Sequence, residues 1–355
     1  MISILDRYIA RAVIAGSLVV LLVFVSLELI FAFVEESDDI SADYTALHAL
    51  MYVGLSGPQR AYEVFPIATL IGSLMTLGAL ASRSELVVMR AAGVSVLGIG
   101  RAVVLGGLLL ATLAALLGEF VAPAAERMSQ EVRAQARGGA VSGLSRDGFW
   151  ARDGLHFVQV GAAPSARLLE DVRIYTFHDS GRLQQVVRAE RADYLQRGSW
   201  RLERVVTDRF GDRAVDSERT DSMVWESSLL PDVLGVVVVD PEALSMAELW
   251  TYVGYLERNE LESDRYRLAL WLKVVTPLAT LTMLLLTIPL VFGSLRSVGA
   301  GQRILIGVMI GVVFYLANRI LNHLGVVYGL PPSVSAFLPT LAFLAFAIYA
   351  TTRVR

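Results

Sequence analysis

Val13 to Val34 reads VIAGSLVVLLVFVSLELIFAFV, a run without a basic residue and with Glu28 as its single acid. About 20 such residues, wound as a helix, cross the hydrocarbon core of a bilayer. The run is longer than the apolar core of a signal peptide, and no small-x-small cleavage site follows before Glu35, so it reads as a retained first span. Further runs of this kind are Val64 to Ala81, Ala102 to Val121, Leu268 to Leu295, Ile304 to Leu321 and Val334 to Thr352. The sequence therefore predicts an α-helical polytopic membrane protein with six transmembrane helices, three before and three after a polar middle. The second helix starts earlier if Ala46 to Leu55 joins it, with Gly57-Pro58 as a kink. Composition agrees: 55% of the 355 residues are hydrophobic and 18% are charged, with a mean hydropathy of +0.56.

Arginine sets the orientation, because short cytoplasmic loops carry the excess of basic residues. Arg7 and Arg11, then Arg83, Arg90 and Arg101, then Arg296 and Arg303, then Arg353 and Arg355 all fall on one side. The opposite side receives Glu35, Glu36, Asp38 and Asp39 and the whole polar middle. Both termini and the loop around residue 90 are expected in the cytoplasm. The domains divide as residues 1–122, with the first three helices, 123–266, and 267–355, with the last three.

Within the middle, continuous hydrophobicity gives way to short β-branched and aromatic stretches: Leu155 to Val160, Val172 to Phe177, Ala189 to Leu195, Trp200 to Thr207 and Ser222 to Trp225. Turn residues such as Asp153-Gly154, Ser180-Gly181, Arg197-Gly198-Ser199 and Gly211-Asp212 separate them. An all-β, jelly-roll-like or sandwich domain fits this pattern. Ser245-Met246-Ala247-Glu248 has the spacing of a capping box and opens a helix toward Glu257.

Several functions are disfavoured by the same residues. A formal charge of -3, without basic clusters interleaved with aromatics, gives no footprint for nucleic acid. With no cysteine, disulfides, thiolate nucleophiles and cysteine-bound metals are absent. The single lysine, Lys273, follows Leu272 rather than a glycine, so no GxxxxGK[ST] phosphate loop exists. His48, His156, His178 and His323 lack ligand spacing, and no metal or bound cofactor is expected. No catalytic grouping stands out either, so the chain reads as a non-enzyme.

Between the second and third spans lies Ser84-Glu85-Leu86-Val87-Val88-Met89-Arg90-Ala91-Ala92-Gly93-Val94-Ser95. A helix over Glu85 to Ala92 sets Leu86, Met89 and Arg90 on one side, and Gly93 supplies a left-handed stop. So short a helix is marginal alone in water. It needs a partner or a membrane surface to hold it.

Residues spread over the whole chain resemble the lipopolysaccharide-export permeases of the LptF/LptG family, on the LptG branch. They are Leu5-Asp6-Arg7-Tyr8-Ile9, the Ser84 to Ser95 loop, Gly118-Glu119-Phe120-Val121-Ala122-Pro123, Leu234-Gly235-Val236-Val237, Asp240-Pro241-Glu242-Ala243-Leu244-Ser245, Arg265-Tyr266, Trp271-Leu272-Lys273, Phe292-Gly293-Ser294-Leu295-Arg296-Ser297-Val298 and Val327-Tyr328-Gly329-Leu330-Pro331-Pro332. The resemblance implies a subunit of an ATP-driven exporter in a bacterial inner membrane, with the β domain periplasmic. It implies pairing with an LptF-like permease, an LptB-like ATPase dimer that uses ATP and Mg, and an LptC-like bridge that receives the lipopolysaccharide. The 84–95 loop becomes a coupling helix, with Ser84, Glu85, Leu86, Met89, Arg90 and Gly93 as its working residues and Leu86 and Met89 filling an ATPase groove.

The resemblance also implies that the first and fifth spans line the lipid path. Phe24, Glu28, Phe31, Phe314, Arg319 and His323 are then candidates to face it, with Glu28 and Arg319 paired across it. Intramembrane charges normally face a cavity, although Glu28 also fits a snorkelling reading. Arg133 is a candidate donor to lipid phosphates, against a competing reading as a solvated helix face; the latter is favoured for Arg137. Lys273 is expected to snorkel. Acidic residues after Ala32 stand where LptG-like relatives carry basic ones, and no phosphate site is transferred there. The alternatives are an LptF-like paralogue, a mechanotransmission permease, disfavoured by six spans, and a membrane-embedded enzyme.

Overall fold

The computed structural model describes residues 4–41, 44–136, 148–165, 167–178, 181–196, 198–211, 214–231, 240–292 and 299–353. Arg137, Arg296, Arg355, Ser180, Arg197, Asp212, the 234–237 motif and most of the 292–298 motif lie outside them. The chain forms two compact units: Met1–Glu35 with Val53–Glu126 and Arg267–Arg355, and Glu36–Tyr52 with Arg127–Tyr266. The second unit thus takes in Glu36–Tyr52, which the sequence reading grouped with the membrane helices.

Among the described residues six helices are long and apolar enough to cross a membrane. They are α1 (Ile4–Ser37), α2 (Ala46–Ser82), the helix begun by α4 (Val96–Leu116), α7 (Asp264–Phe292), α8 (Ala300–Val327) and α9 (Pro332–Arg353), and the seven-residue α3 (Glu85–Ala91) sits between α2 and α4. Helix α2 runs unbroken from Ala46 through Pro58 and Pro66, so Gly57-Pro58 lies inside one long element. Helix α4 passes through a π turn, Leu117–Val121, into α5 (Ala122–Ala136). The first unit's core joins α1, α2, α3, α4, α7, α8 and α9 through residues such as Ile9, Leu70, Leu86, Ile99, Met283 and Phe314.

Among the described residues of the second unit six strands form one antiparallel sheet in sequence order: β1 (Phe149–Asp153), β2 (His156–Ser165), β3 (Leu168–Phe177), β4 (Leu183–Tyr194), β5 (Ser199–Phe210) and β6 (Val215–Glu226). Among the described residues every strand pairs with its chain neighbour, within the all-β domain that the sequence places between the third and fourth helices. Alternation turns Trp200, Leu202, Val205 and Thr207 of β5 to the buried face, and positive φ at Asp171 (49°) and Arg204 (53°) marks places where the strands depart from regular pleat. Trp200 is fully buried and its indole N–H donates to the Leu229 carbonyl at 2.9 Å. The capping box forms as its spacing predicts: Ser245 and Glu248 each bond the other's backbone N–H and open α6 (Met246–Arg258). Tyr255 and Asn259 then fasten the far end of α6 to β1 and the β1–β2 turn, through Tyr255 Oη to Arg152 O at 2.7 Å and Gly154 N to Asn259 Oδ1 at 2.7 Å.

Candidate functional site

Helix α3 is held by its own bundle. Ser84 takes a left-handed conformation (φ 60°) to turn the chain out of α2, and Gly93 (φ 89°) ends α3 as expected. The end is a Schellman motif, with Gly93 N–H donating to Arg90 O at 3.0 Å and Val94 N–H to Met89 O at 3.1 Å. Leu86 is 3% exposed and belongs to the core, with Met89 and Val94 packed against it. The expectation that Leu86 and Met89 fill a partner's groove is therefore corrected. They seat α3 on its own helices, because a seven-residue helix needs tertiary packing to persist. What α3 turns outward is Val87, Val88 and Arg90, with Val88 65% exposed. Glu85 accepts a 2.7 Å hydrogen bond from Tyr8 Oη of α1.

Two more polar contacts converge beside α3. Arg101 Nη2, near the start of α4, lies 2.8 Å from Asp6 Oδ2 of α1, and that carboxylate is buried. Arg303 of α8, 3% exposed, donates through Nη2 to Ser82 Oγ at 2.9 Å. Ser82 in turn donates to Gly78 O at 2.9 Å. Sequence reading assigned Arg101 and Arg303 only to the positive side of the membrane.

The lipid-path candidates separate. Phe31 is 61% exposed, whereas Phe24 is half-buried against Val20, Ala68 and Ile71, beside Val308. Phe314 is 6% exposed and meets Phe343 edge-on at 5.1 Å. It is a core residue, which corrects its placement on the path. Arg319 and His323 are exposed on α8. Among the described residues Glu28 and Arg319 form no ion pair, so the expected pairing across the path is not formed within this chain.

In the second unit Arg133 Nε stands 3.0 Å from Glu36 Oε1, and its Nη2 lies 3.4 Å from Asp39 Oδ2. The guanidinium also lies 4.8 Å from the Tyr52 ring centroid. Buried Glu36 accepts the Tyr44 hydroxyl as well, at 2.9 Å. Glu36 in the last turn of α1 and Asp39 just after it, two of the four acids there, thus neutralise the arginine expected to meet phosphate. An anionic lipid group would have to compete with those carboxylates.

One functional-site candidate escaped sequence reasoning. In the π turn the Ala122 N–H goes to Leu117 O, one residue further back than in an α-helix. The Gly118 carbonyl would then look to residue 123, which is proline and has no N–H. Lys273 Nζ supplies the donor at 2.9 Å, 5.2 Å from the Tyr62 ring centroid. A Cβ on Gly118 would lie 2.3 Å from Tyr62, so only glycine fits. Lys273 is 7% exposed, and the snorkelling expectation is corrected. Its signal was its rarity together with the Gly118 to Pro123 motif.

Among the described residues no group of three or more His, Cys, Asp or Glu is placed to hold a metal. What the arrangement offers is mechanical: a helix seated on an apolar bundle through Leu86, hydrogen-bonded to α1 through Glu85, with an outward apolar face. The profile of the lipopolysaccharide export system permease LptF/LptG family matches residues 7–353. The lipopolysaccharide export system permease protein LptG of Escherichia coli (strain K12) is 37% identical over 354 residues, covering 99% of this chain and 98% of that protein. LptG of Haemophilus influenzae is 36% identical over 357 residues, covering all of both chains. LptF of E. coli K12 is 25% identical over 327 residues, 87% of this chain and 83% of that protein. The chain therefore belongs to the LptF/LptG family of lipopolysaccharide export permeases and is more similar to these LptG proteins than to that LptF.

Proposed function

We propose that this permease of lipopolysaccharide export draws its work from a separate LptB-like ATPase that grips α3. The carrying observation is the division of α3 into an inward face, Leu86 and Met89, and an outward face, Val87, Val88 and Arg90. An exposed apolar pair on so short a helix fits a shallow groove, and the inward face makes α3 move with the bundle rather than fold away. Lipid tails gain little on leaving one apolar medium for another, so extraction needs work from outside. Without a phosphate loop, the chain has to borrow it from a partner that uses ATP and Mg.

An LptF-like permease is the natural second subunit. Helices α1 and α8 leave broad apolar faces uncovered, Phe31 and Val313 among them, and these fit lipid acyl chains together with a facing subunit. The inner membrane is the expected location, with the strand unit on the periplasmic side handing lipid to an LptC-like bridge. Copurification tests the reading. Val88→Asp should abolish retention of the ATPase, and Glu85→Lys should weaken it, while both variants stay folded. Wild-type retention and wild-type lipid-coupled hydrolysis in Val88→Asp would refute α3 as the docking element.

A further inference from the structure

Helix α1 turns one face to its bundle and the other outward. Asp6, Ile9, Val13 and Ser17 are buried. At Gly72 of α2 the two backbones touch, since a Cβ there would lie 2.5 Å from Ser17 Cα and 2.6 Å from Gly16 O, and no side chain fits. That close approach fixes which way the opposite face points. Arg7, Arg11, Ala15, Leu18 and Leu22 are exposed along it, three or four residues apart and therefore in one line. The line begins basic and continues apolar. Arg11 stands about 3 Å and Arg7 about 9 Å before Val13, where the apolar run opens. Their guanidinium groups therefore lie at the depth of lipid phosphates, and Leu18 and Leu22 at the depth of the tails.

A cleft of about 550 Å³ opens over this start of α1, lined among the described residues by Ile4, Arg7, Tyr8, Arg11 and Ala12. The Tyr8 hydroxyl is held by Glu85 at 2.7 Å, which leaves the ring to the cleft. Asp6, the acid of the same turn, is buried and faces Arg101 at 2.8 Å. Among the described residues neither Arg7 nor Arg11 has an ion-pair or hydrogen-bond partner, whereas Arg101 and Arg303 at the same end are both engaged. Two such guanidinium groups one turn apart can share a phosphate through charge-assisted hydrogen bonds. An acidic protein surface or a free phosphate would complement the arginines alone. A membrane lipid presents a phosphate and then an apolar chain, in the order in which the line offers their partners.

We propose that Arg7 and Arg11 bind the phosphate of an anionic glycerophospholipid in the leaflet around the α3 end, with the Tyr8 ring beside the headgroup and an acyl chain along Ala15, Leu18 and Leu22. About 30 Å of helix separates Arg11 from Phe31, so this lipid is a resident of the membrane rather than the exported cargo. It covers part of a helix whose most apolar window is only 17% buried. The site stands whether or not an ATPase grips α3.

The chain has no cysteine, so a fluorophore on Ala15→Cys reports the lipid beside the line. The full chain, alone and with its copurifying subunits, is placed in phosphatidylcholine vesicles in which a small fraction of the lipid is brominated and quenches on contact. Brominated phosphatidylglycerol should quench as though enriched about 25-fold over brominated phosphatidylcholine, from about fivefold for each arginine. Arg7→Gln or Arg11→Gln should each remove about fivefold, and the two together all of it. Arg7→Lys with Arg11→Lys should keep most of the enrichment. Brominated phosphatidylcholine should quench every variant alike, which shows a folded chain with α1 still facing lipid. Arg353→Gln removes the same charge at the same end, where the guanidinium lies 5.3 Å from the Tyr349 ring centroid, and should leave the enrichment whole. An equal loss in Arg353→Gln, or enrichment that survives the two Gln substitutions, overturns the site in favour of general surface charge. Millimolar inorganic phosphate, compared with chloride at equal ionic strength, should not restore the fluorescence; if it does, the arginines bind free phosphate and the lipid assignment falls. A label that neither lipid quenches once the other subunits are present puts a protein on this face and also overturns the site.

Discussion

Helices α1 and α8 differ from α2 and α7 in a way that hydropathy reverses or misses. The most apolar window of α1 has a mean hydropathy of 2.8 and is 17% buried; that of α2 has 1.9 and is 67% buried. Helices α7 and α8 share a value of 2.1, yet α7 is 61% buried and α8 17%. In water the most apolar helix would be the innermost. In a bilayer a leucine gains little by leaving lipid for protein, so burial goes to residues that interlock or find polar partners. Buried α7 carries Lys273, Thr280, Thr282 and Thr287, and buried α2 carries Thr69 and Ser73. The α7 threonines return their hydroxyls to their own helix, as Thr280 does to Thr276 O at 3.0 Å.

The hardest blow to this division should come at Gly72. Gly72→Leu forces the backbones of α1 and α2 apart, and overpacking of this kind costs about 3 kcal/mol or more. Thermal unfolding in detergent should show a large loss. Gly54→Ala, also on α2 but with nothing within 4 Å of the added Cβ, should stabilise by about 0.5 kcal/mol through the lower entropy of alanine. If the two substitutions behave alike, close approach is not what holds α1.

Phenylalanines provide the next contrast. Phe314→Ala empties a core site and should cost about 3 kcal/mol. Phe31→Ala trims a side chain with few neighbours and should stay within about 0.5 kcal/mol. Export assays should invert the order once stability is matched if exposed Phe31 meets the lipid, as proposed. Equal stability losses would show that α1 is covered in the monomer.

Lys273→Met should follow, at about 2 kcal/mol, by leaving the Gly118 carbonyl buried and unpaired. Lys273→Arg keeps a donor and should recover part of that loss. An unshifted unfolding curve for Lys273→Met would mean that the π turn satisfies itself.

Much of this architecture could be read from the chain. Six apolar runs, the Gly93 stop and the Ser245–Glu248 capping box depend on local spacing, which sequence displays directly. The strands β2 to β6 were visible for the same reason, β6 only through its last part, Ser222 to Trp225, whereas β1, with Arg152 and Asp153 in five residues, lacks alternation and was missed. Side-chain direction was harder. Phe31 and Phe314 look alike in sequence because lipid and protein interior are equally apolar, and Leu86 looked like a groove filler because periodicity gives a face without saying which way it points. The pairing of Glu36 and Asp39 with Arg133 spans nearly a hundred positions, so the acids read as a departure from the family rather than as partners.

The smallest effect tests whether a donor to a lone carbonyl matters as much in the strand unit as at Lys273. Tyr255 Oη donates to Arg152 O at 2.7 Å, and Tyr255→Phe should cost about 1 kcal/mol, less than Lys273→Met, since no charged donor is lost. Burial, reinforced by the charge of Asp153, pushes the Tyr255 hydroxyl up to about 12. The folded state therefore favours the neutral phenol. Its contribution is fully present below the ordinary tyrosine value of about 10 and is lost as pH rises from there through about 12. Unfolding curves across that alkaline window should steepen in their pH dependence for the unmodified chain and flatten for Tyr255→Phe. A residual slope should remain from Tyr252, which burial also raises. An identical alkaline loss in Tyr255→Phe would remove Tyr255 from the contacts that secure α6, and would leave the charged donor at Lys273 as the stronger use of the same device.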